Sequence, residues 1–118
     1  MAGCEWITYK GQKILFVDYT GLRGSEIVAM IHTANTIILE AESSVVSLAD
    51  FTGTYATDEI VAFLQSEETK QAAKKIRKNA VVGITGIKKI FLNMYNMVTG
   101  GGAKPFDNLE SAKEYLIS

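Results

Sequence analysis

Residues able to do chemistry are few in this chain, and they are scattered. There is one histidine, His32, and one cysteine, Cys4. A general base or a metal ligand needs convergent partners. None lies at helical spacing from His32, which falls off the apolar stripe of Ile27, Ile31, Ala34 and Ile38 and reads as a solvent-exposed helix residue. Any Ser-His-Asp or Cys-His triad would have to use His32, and no G-x-S-x-G elbow is present. Cys4 sits in what reads as a frayed or edge segment, an incidental thiol. No catalytic residue, no metal ligand set and no cofactor is therefore expected.

Three further features have binding rather than catalytic chemistry. Gly83-Ile84-Thr85-Gly86 stands between a strand and a helix, where Gly83, Thr85 and Gly86 offer a candidate anion-binding turn built from backbone N–H groups. Lys88 and Lys89 in the following first turn oppose the helix dipole unless something negative is near. The stretch matches neither the P-loop nor the dinucleotide fingerprint, and a tight strand-to-helix turn is the first explanation of it, the anion site the second. Lys70, Lys74, Lys75, Arg77 and Lys78 cluster on one segment, read as a solvated helix face; no aromatic residues interleave them, so base stacking has no support. Thr57 opens a helix beyond a strand end. As an N-cap it satisfies a free backbone N–H; the same place tolerates a phosphate, although Asp58 and Glu59 repel one.

Composition sets the frame for these groups. The chain has 118 residues, 47% hydrophobic and 21% charged, which suits one domain over residues 1–118. Such a domain buries roughly two-thirds of its unfolded surface. Twelve basic and thirteen acidic residues give a net charge of −1, without pull toward nucleic acid. A lone cysteine excludes an internal disulfide framework. The start, MAGCEW, shows neither a secretory signal nor a myristoylation motif, and no apolar run approaches the roughly 20 residues of a membrane span. A cytoplasmic protein is expected.

The elements that must position these residues alternate. Residues 5–9 and 13–19 flank a Gly-containing break and predict a hairpin, its second strand central in the sheet. Ser25 reads as the N-cap of a helix that ends near Glu40. Residues 45–51 predict a third strand, 57–65 and 67–78 two helices with a bend at Ser66, and 80–84 a fourth strand. The next helix points Ile87, Ile90, Phe91, Met94 and Val98 inward and ends at the three glycines 100–102. It is apolar around much of its girth, so it is either well buried or presents a patch to a partner, a dimer face or a lipid-like pocket. Pro105-Phe106 is a short extended piece, and Asp107 with Glu110 reads as the capping box of a last helix. No internal repeat is apparent. The order predicts an α/β fold with a mixed, mainly parallel sheet of four or five strands flanked by helices.

The strand Val45–Asp50, its loop and the helix start Thr57-Asp58-Glu59-Ile60 resemble the centre of the STAS domain, the anti-sigma-factor antagonist family. Residues 11–22, residues 81–86, and Phe106-Asp107 followed by Glu110, Ala112 and Leu116 resemble the small SpoIIAA-like members. The resemblance covers most of the chain and implies a mixed sheet flanked by helices, of the kind shared with lipid-binding CRAL-TRIO domains. In antagonists a serine at the helix start is phosphorylated by a partner kinase. Thr57 falls near that serine, while Ala56 stands where an acid is usual and Glu59 where a glycine is usual. The expectation is a non-enzymatic regulatory or protein-interaction domain acting through Thr52, Tyr55, Thr57 and Asp58, with a kinase or a second copy as partner. The alternative is a carrier of a small apolar, lipid-like ligand held between the sheet and the helix of residues 87–98.

Overall fold

The computed structural model describes residues 2–118; Met1, part of the N-terminal reading above, lies outside the described residues. Two strands, β1 (Gly3–Tyr9) and β2 (Gln12–Asp18), form the opening hairpin. Lys10 and Gly11, both at positive φ (48° and 83°), make its two-residue turn, the geometry whose twist matches paired strands. Then follow α1 (Ser25–Glu40), β3 (Val45–Asp50), α2 (Asp58–Leu64), α3 (Glu67–Ala73), β4 (Ile76–Val82), α4 (Lys88–Thr99), β5 (Ala103–Phe106) and α5 (Leu109–Leu116). The strands lie in the sheet in chain order, β1 to β5. β1 pairs antiparallel with β2, and the other three pairings are parallel. The sheet is thus mixed, and "mainly parallel" overstates it, because its longest ladder is the antiparallel hairpin.

Alternation along β2 sorts the core into two layers. Leu15, Val17 and Tyr19 join Val45 and the inner stripes of α1, α2 and α3. Ile14 joins Val46, Leu48, Ala80 and Val82 on the other face, under Ala112 and Leu116 of α5. α1 keeps one continuous stripe of Ile27, Ile31, Ala34, Asn35 and Ile38 to Glu40, so packing overrides the β character of residues 36–39. On the opposite face α5 is clasped to the hairpin: the Tyr9 hydroxyl stands between the Glu110 carboxylate, at 2.7 Å, and that of Glu114, which share its one proton, and Lys10 pairs with Glu114 at 2.8 Å. Hydrogen bonds from Lys10, then Tyr9, hold the Glu114 carboxyl below the usual range.

Four local expectations are corrected. Ser25 is not the cap of α1: the helix starts at Gly24 (φ 48°), and Glu26 takes the Arg23 N–H at 3.0 Å. The third helix stops at Ala73 and β4 begins at Ile76, so residues 76–79 are strand rather than helix. Pairing decides this, since Val45 N–H donates to Lys75 O at 2.7 Å and Lys75 reaches the carbonyls of Leu39 and Ala41. Arg77 and Lys78 are therefore strand residues; Lys78 caps the carbonyl ends of α5 at Tyr115 and Ser118. The strand also ends at Val82, not Ile84, because Gly83 turns the chain at φ 83°. Finally, Asn108 caps α5 through the Ser111 N–H at 2.8 Å, in place of Asp107, and Glu110 serves Tyr9.

The strand ends carry a short repetition, overlooked in the sequence reading. Asp18-Tyr19-Thr20-Gly21 and Asp50-Phe51-Thr52-Gly53 sit side by side, with Asp18 and Asp50 in register. In each, the aspartate accepts from the threonine N–H (3.0 Å) and hydroxyl (2.6 Å) two residues on. The two rings stack at 4.4 Å and 6°. Gly83 closes the third loop directly on this backbone: a Cβ there would lie 2.4 Å from Thr52 N. We expect Gly83→Ala to cost about 3 kcal/mol or more in urea unfolding, from the clash and the positive φ together. Gly53→Ala, at φ 75° but with nothing within 4 Å, should cost about 1–2 kcal/mol. Equal losses would show that the close approach carries no weight.

Candidate functional site

Under α4 the first layer of the core is incomplete. A cavity of about 130 Å³ lies between the sheet and α1, α2 and α4. Its floor is made of small side chains on the middle strands: Ser47 and Ala49 of β3 and Ala103 of β5, beside Val17, Asn79 and Val81. Its wall is the buried stripe of α1 with Ile60 and Leu64 of α2, and its cover is Lys88, Phe91, Leu92 and Tyr95 of α4. The Tyr19–Phe51 stack and the loop residues Thr54, Tyr55 and Ala56 form the end nearest the strand C-termini. That is the usual place for ligands in sheets with parallel crossovers.

The polar groups on the lining fall into two kinds. Some are engaged: Thr54 Oγ1 donates to Phe51 O at 2.7 Å, and Asn35 spends its amide on Glu68 and Thr69. Lys88 donates to Phe51 O at 3.1 Å; burial lowers its pKa, and Asp50 partly opposes this. The others are the hydroxyls of Ser47 and Tyr19, residues 6% and 4% exposed that line the cavity; no fully buried side-chain N or O atom among the described residues lacks a hydrogen-bond partner. Burial pushes the Tyr19 hydroxyl well above its ordinary pKa. Burial also raises Tyr95, opposed by the Asn79 amide directed at its oxygen. At neutral pH both phenols are protonated.

α4 is the thin part of the enclosure. None of its residues is buried. Of the expected inward set, Phe91 faces the cavity and Met94 and Val98 are half-buried, but Ile87 and Ile90 are each 63% exposed; Met97, outside that set, is 81% exposed. The inward spacing is Lys88, Phe91, Leu92 and Tyr95, a face rotated from the stripe chosen by hydrophobicity alone, because Lys88 turns in to Phe51 O and Ile87 precedes the helix. The helix is pinned at its far end, where Asn96 exchanges two hydrogen bonds with Ala103, at 3.0 and 2.9 Å, and at Met94, which Gln65 reaches at 3.4 Å.

The residues singled out from the sequence are placed as follows. Thr52, Tyr55, Thr57 and Asp58 are all exposed on the loop between β3 and α2, Tyr55 at 75%. Thr57 is the N-cap of α2, accepting from Ile60 N–H at 3.3 Å. In the Gly83–Gly86 turn, Gly83 packs on the Phe51–Thr52 backbone while Thr85 and Gly86 are exposed. The next N–H groups are spent inside the turn, Lys88 on Thr85 O, Lys89 on Gly86 O and Ile90 on Ile87 O. His32 is exposed and outside the cavity, its Nδ1 2.9 Å from the Glu68 carboxylate across α1 and α3. Burial raises the Cys4 thiol pKa, away from a reactive thiolate. No group of three or more His, Cys, Asp or Glu able to hold a metal occurs among the described residues, and no helix is long and apolar enough to cross a membrane. Ser47, Asn79 and Tyr95 were missed from sequence; the available signal was a serine inside the otherwise apolar run Val45-Val46-Ser47-Leu48-Ala49. Comparisons with protein-family models, curated proteins and solved structures find no match for this chain.

A cover with little burial opens locally more often than the core it protects. In native-state hydrogen exchange we expect the α4 amides to exchange at least tenfold faster than those of α1. Equal protection would mean that α4 opens only with the whole fold.

Proposed function

We propose that this chain is a non-enzymatic, STAS-like binding domain that takes a small apolar ligand in the cavity beneath α4. The observation that carries this is the cavity itself, about 130 Å³, enclosed mainly by aliphatic and aromatic side chains. Apolar cavities of about 150 Å³ hold benzene-sized molecules. The order of elements and the strand–loop–helix step at Thr57 support the STAS-like assignment. Binding rather than bond-making is supported by the chemistry of the lining, where neutral hydroxyls and one engaged lysine stand without a paired acid and base. Freshly purified protein should carry a bound small molecule in native mass spectrometry. Toluene should raise the melting temperature, a stabilisation of about 2.7 kcal/mol at a hundredfold excess over Kd. Ala49→Ile fills the floor and should abolish that shift without lowering the melting temperature of the unliganded protein. A toluene response equal in both proteins would place the binding elsewhere, and none in wild type would reject the reading.

A second reading is favoured by the position of the exposed loop. Tyr55 lines the cavity end and also stands 75% exposed beside Thr52, Thr57 and Asp58. That loop is placed to present the state of the cavity to a protein partner, and a phosphate on Thr57 would be its covalent switch. Incubation with host lysate and labelled ATP should label wild type and leave Thr57→Ala unlabelled. Equal labelling of the two removes Thr57 from the reading.

A further inference from the structure

The lining of the cavity defines the chemical class of its ligand. Ser47 is 6% exposed and lines the cavity, and no hydrogen bond to its hydroxyl is found among the described residues. No fully buried side-chain N or O atom among them lacks a partner, so this oxygen keeps its accessible surface toward the cavity, where a bound molecule can reach it. In the sheet Ser47 is in register with Asn79 on the neighbouring strand, so their side chains stand on the same face about 5 Å apart. The Asn79 amide is directed at the Tyr95 hydroxyl of α4 above it. One spot in an otherwise apolar cavity therefore collects a serine hydroxyl, an amide and a phenol. Tyr19 also lines the cavity, but its ring is stacked on Phe51 and it follows the end of β2, outside the register of Ser47 and Asn79.

We infer that the ligand is a small neutral ring compound bearing one hydroxyl or carbonyl group, and that Ser47 takes this group while the ring occupies the space beneath α4. This rests on the ligand-binding reading given above. No charged side chain stands in register with Ser47 and Asn79, so the group met there is neutral, while Lys88 is engaged with Phe51 O. The volume of about 130 Å³ matches a six-membered ring. Ser47, Asn79 and Tyr95 together offer both donors and acceptors, so a hydroxyl and a carbonyl are both accommodated.

Phenol and toluene separate the possibilities because they share a shape. In a wholly apolar cavity toluene binds better, since phenol gives up hydrogen bonds to water and gets none back. Calorimetric titration of wild type should show phenol binding more tightly than toluene. Ser47→Ala should weaken phenol about tenfold, reverse that order and leave toluene as tight or tighter. Tyr19→Phe should leave the order unchanged. Retained toluene binding shows that each variant is folded with its cavity intact. If toluene binds wild type better than phenol, or if Ser47→Ala leaves the order unchanged, the inference about Ser47 is overturned while the ligand-binding reading stands. If neither compound binds wild type, both fall.

Discussion

The handedness of the crossovers governs this structure. Each parallel connection, β2 to β3, β3 to β4 and β4 to β5, moves the chain one strand further in the same direction. Crossovers of one hand taken in one direction must all land on one face. α1, α2, α3 and α4 are therefore stacked over one side of the sheet, and α5 alone covers the other. The helix-rich face is long in covering elements and short in large side chains: Ser47, Ala49 and Ala103 lie at its middle, while Leu48 and Val82 fill the opposite face. A gap under the last helix to arrive is the geometric result.

That gap has an energetic meaning. Atoms that face the cavity lack packing partners on that side, and each unfilled part of a core costs stability that is small in total, about 5–15 kcal/mol. Larger residues at Ala49 or Ala103 would recover part of it. The cover is also weakly held, with Ile87, Ile90 and Met97 turned outward and α4 tied mainly by Asn96, Met94 and Lys88. A hole beneath a loosely packed helix is the arrangement a ligand can reach without unfolding the rest. The firm part of the molecule lies beside it, where Gly83 seats on Thr52 and the paired aspartate turns fix the strand ends.

Much of the fold was legible because the strongest signals are local and periodic. The α1 stripe, the buried run at Val45, the Thr57 cap and the stop at Gly100 each follow from residues within a few positions of one another. What was misread depends on contacts distant in sequence. The start of β4 is set by Val45 pairing with Ile76, and the basic residues there looked helical only in isolation. Glu110 has the spacing of a capping box, yet Tyr9, 101 residues away, claims it. The orientation of α4 is fixed by a lysine that turns inward to a loop carbonyl, which no hydrophobic stripe can report. The candidate loop at 52–58 was visible because turns and caps have their own residue signature. A pocket between the sheet and the helix of residues 87–98 was one of the alternatives the apolar girth of that helix raised, but its small floor residues Ser47, Ala49 and Ala103 were not legible, since an empty volume has no residue of its own.

The reactive side chains and the cavity lie in different parts of the molecule. The one histidine pairs with Glu68 on the outer surface between α1 and α3, remote from any enclosed space. The one thiol is half-buried against the β2 side of the core, where desolvation disfavours its thiolate. The cavity, by contrast, is lined by groups that stay neutral at physiological pH, two phenols raised by burial, a serine and an amide, together with one lysine that donates to a carbonyl. Proton transfer needs groups whose pKa values straddle the working pH, and a lining with none can still recognise a shape and one hydrogen bond. Tyr55 and Phe51 at the cavity end lead directly into the exposed loop ahead of Thr57.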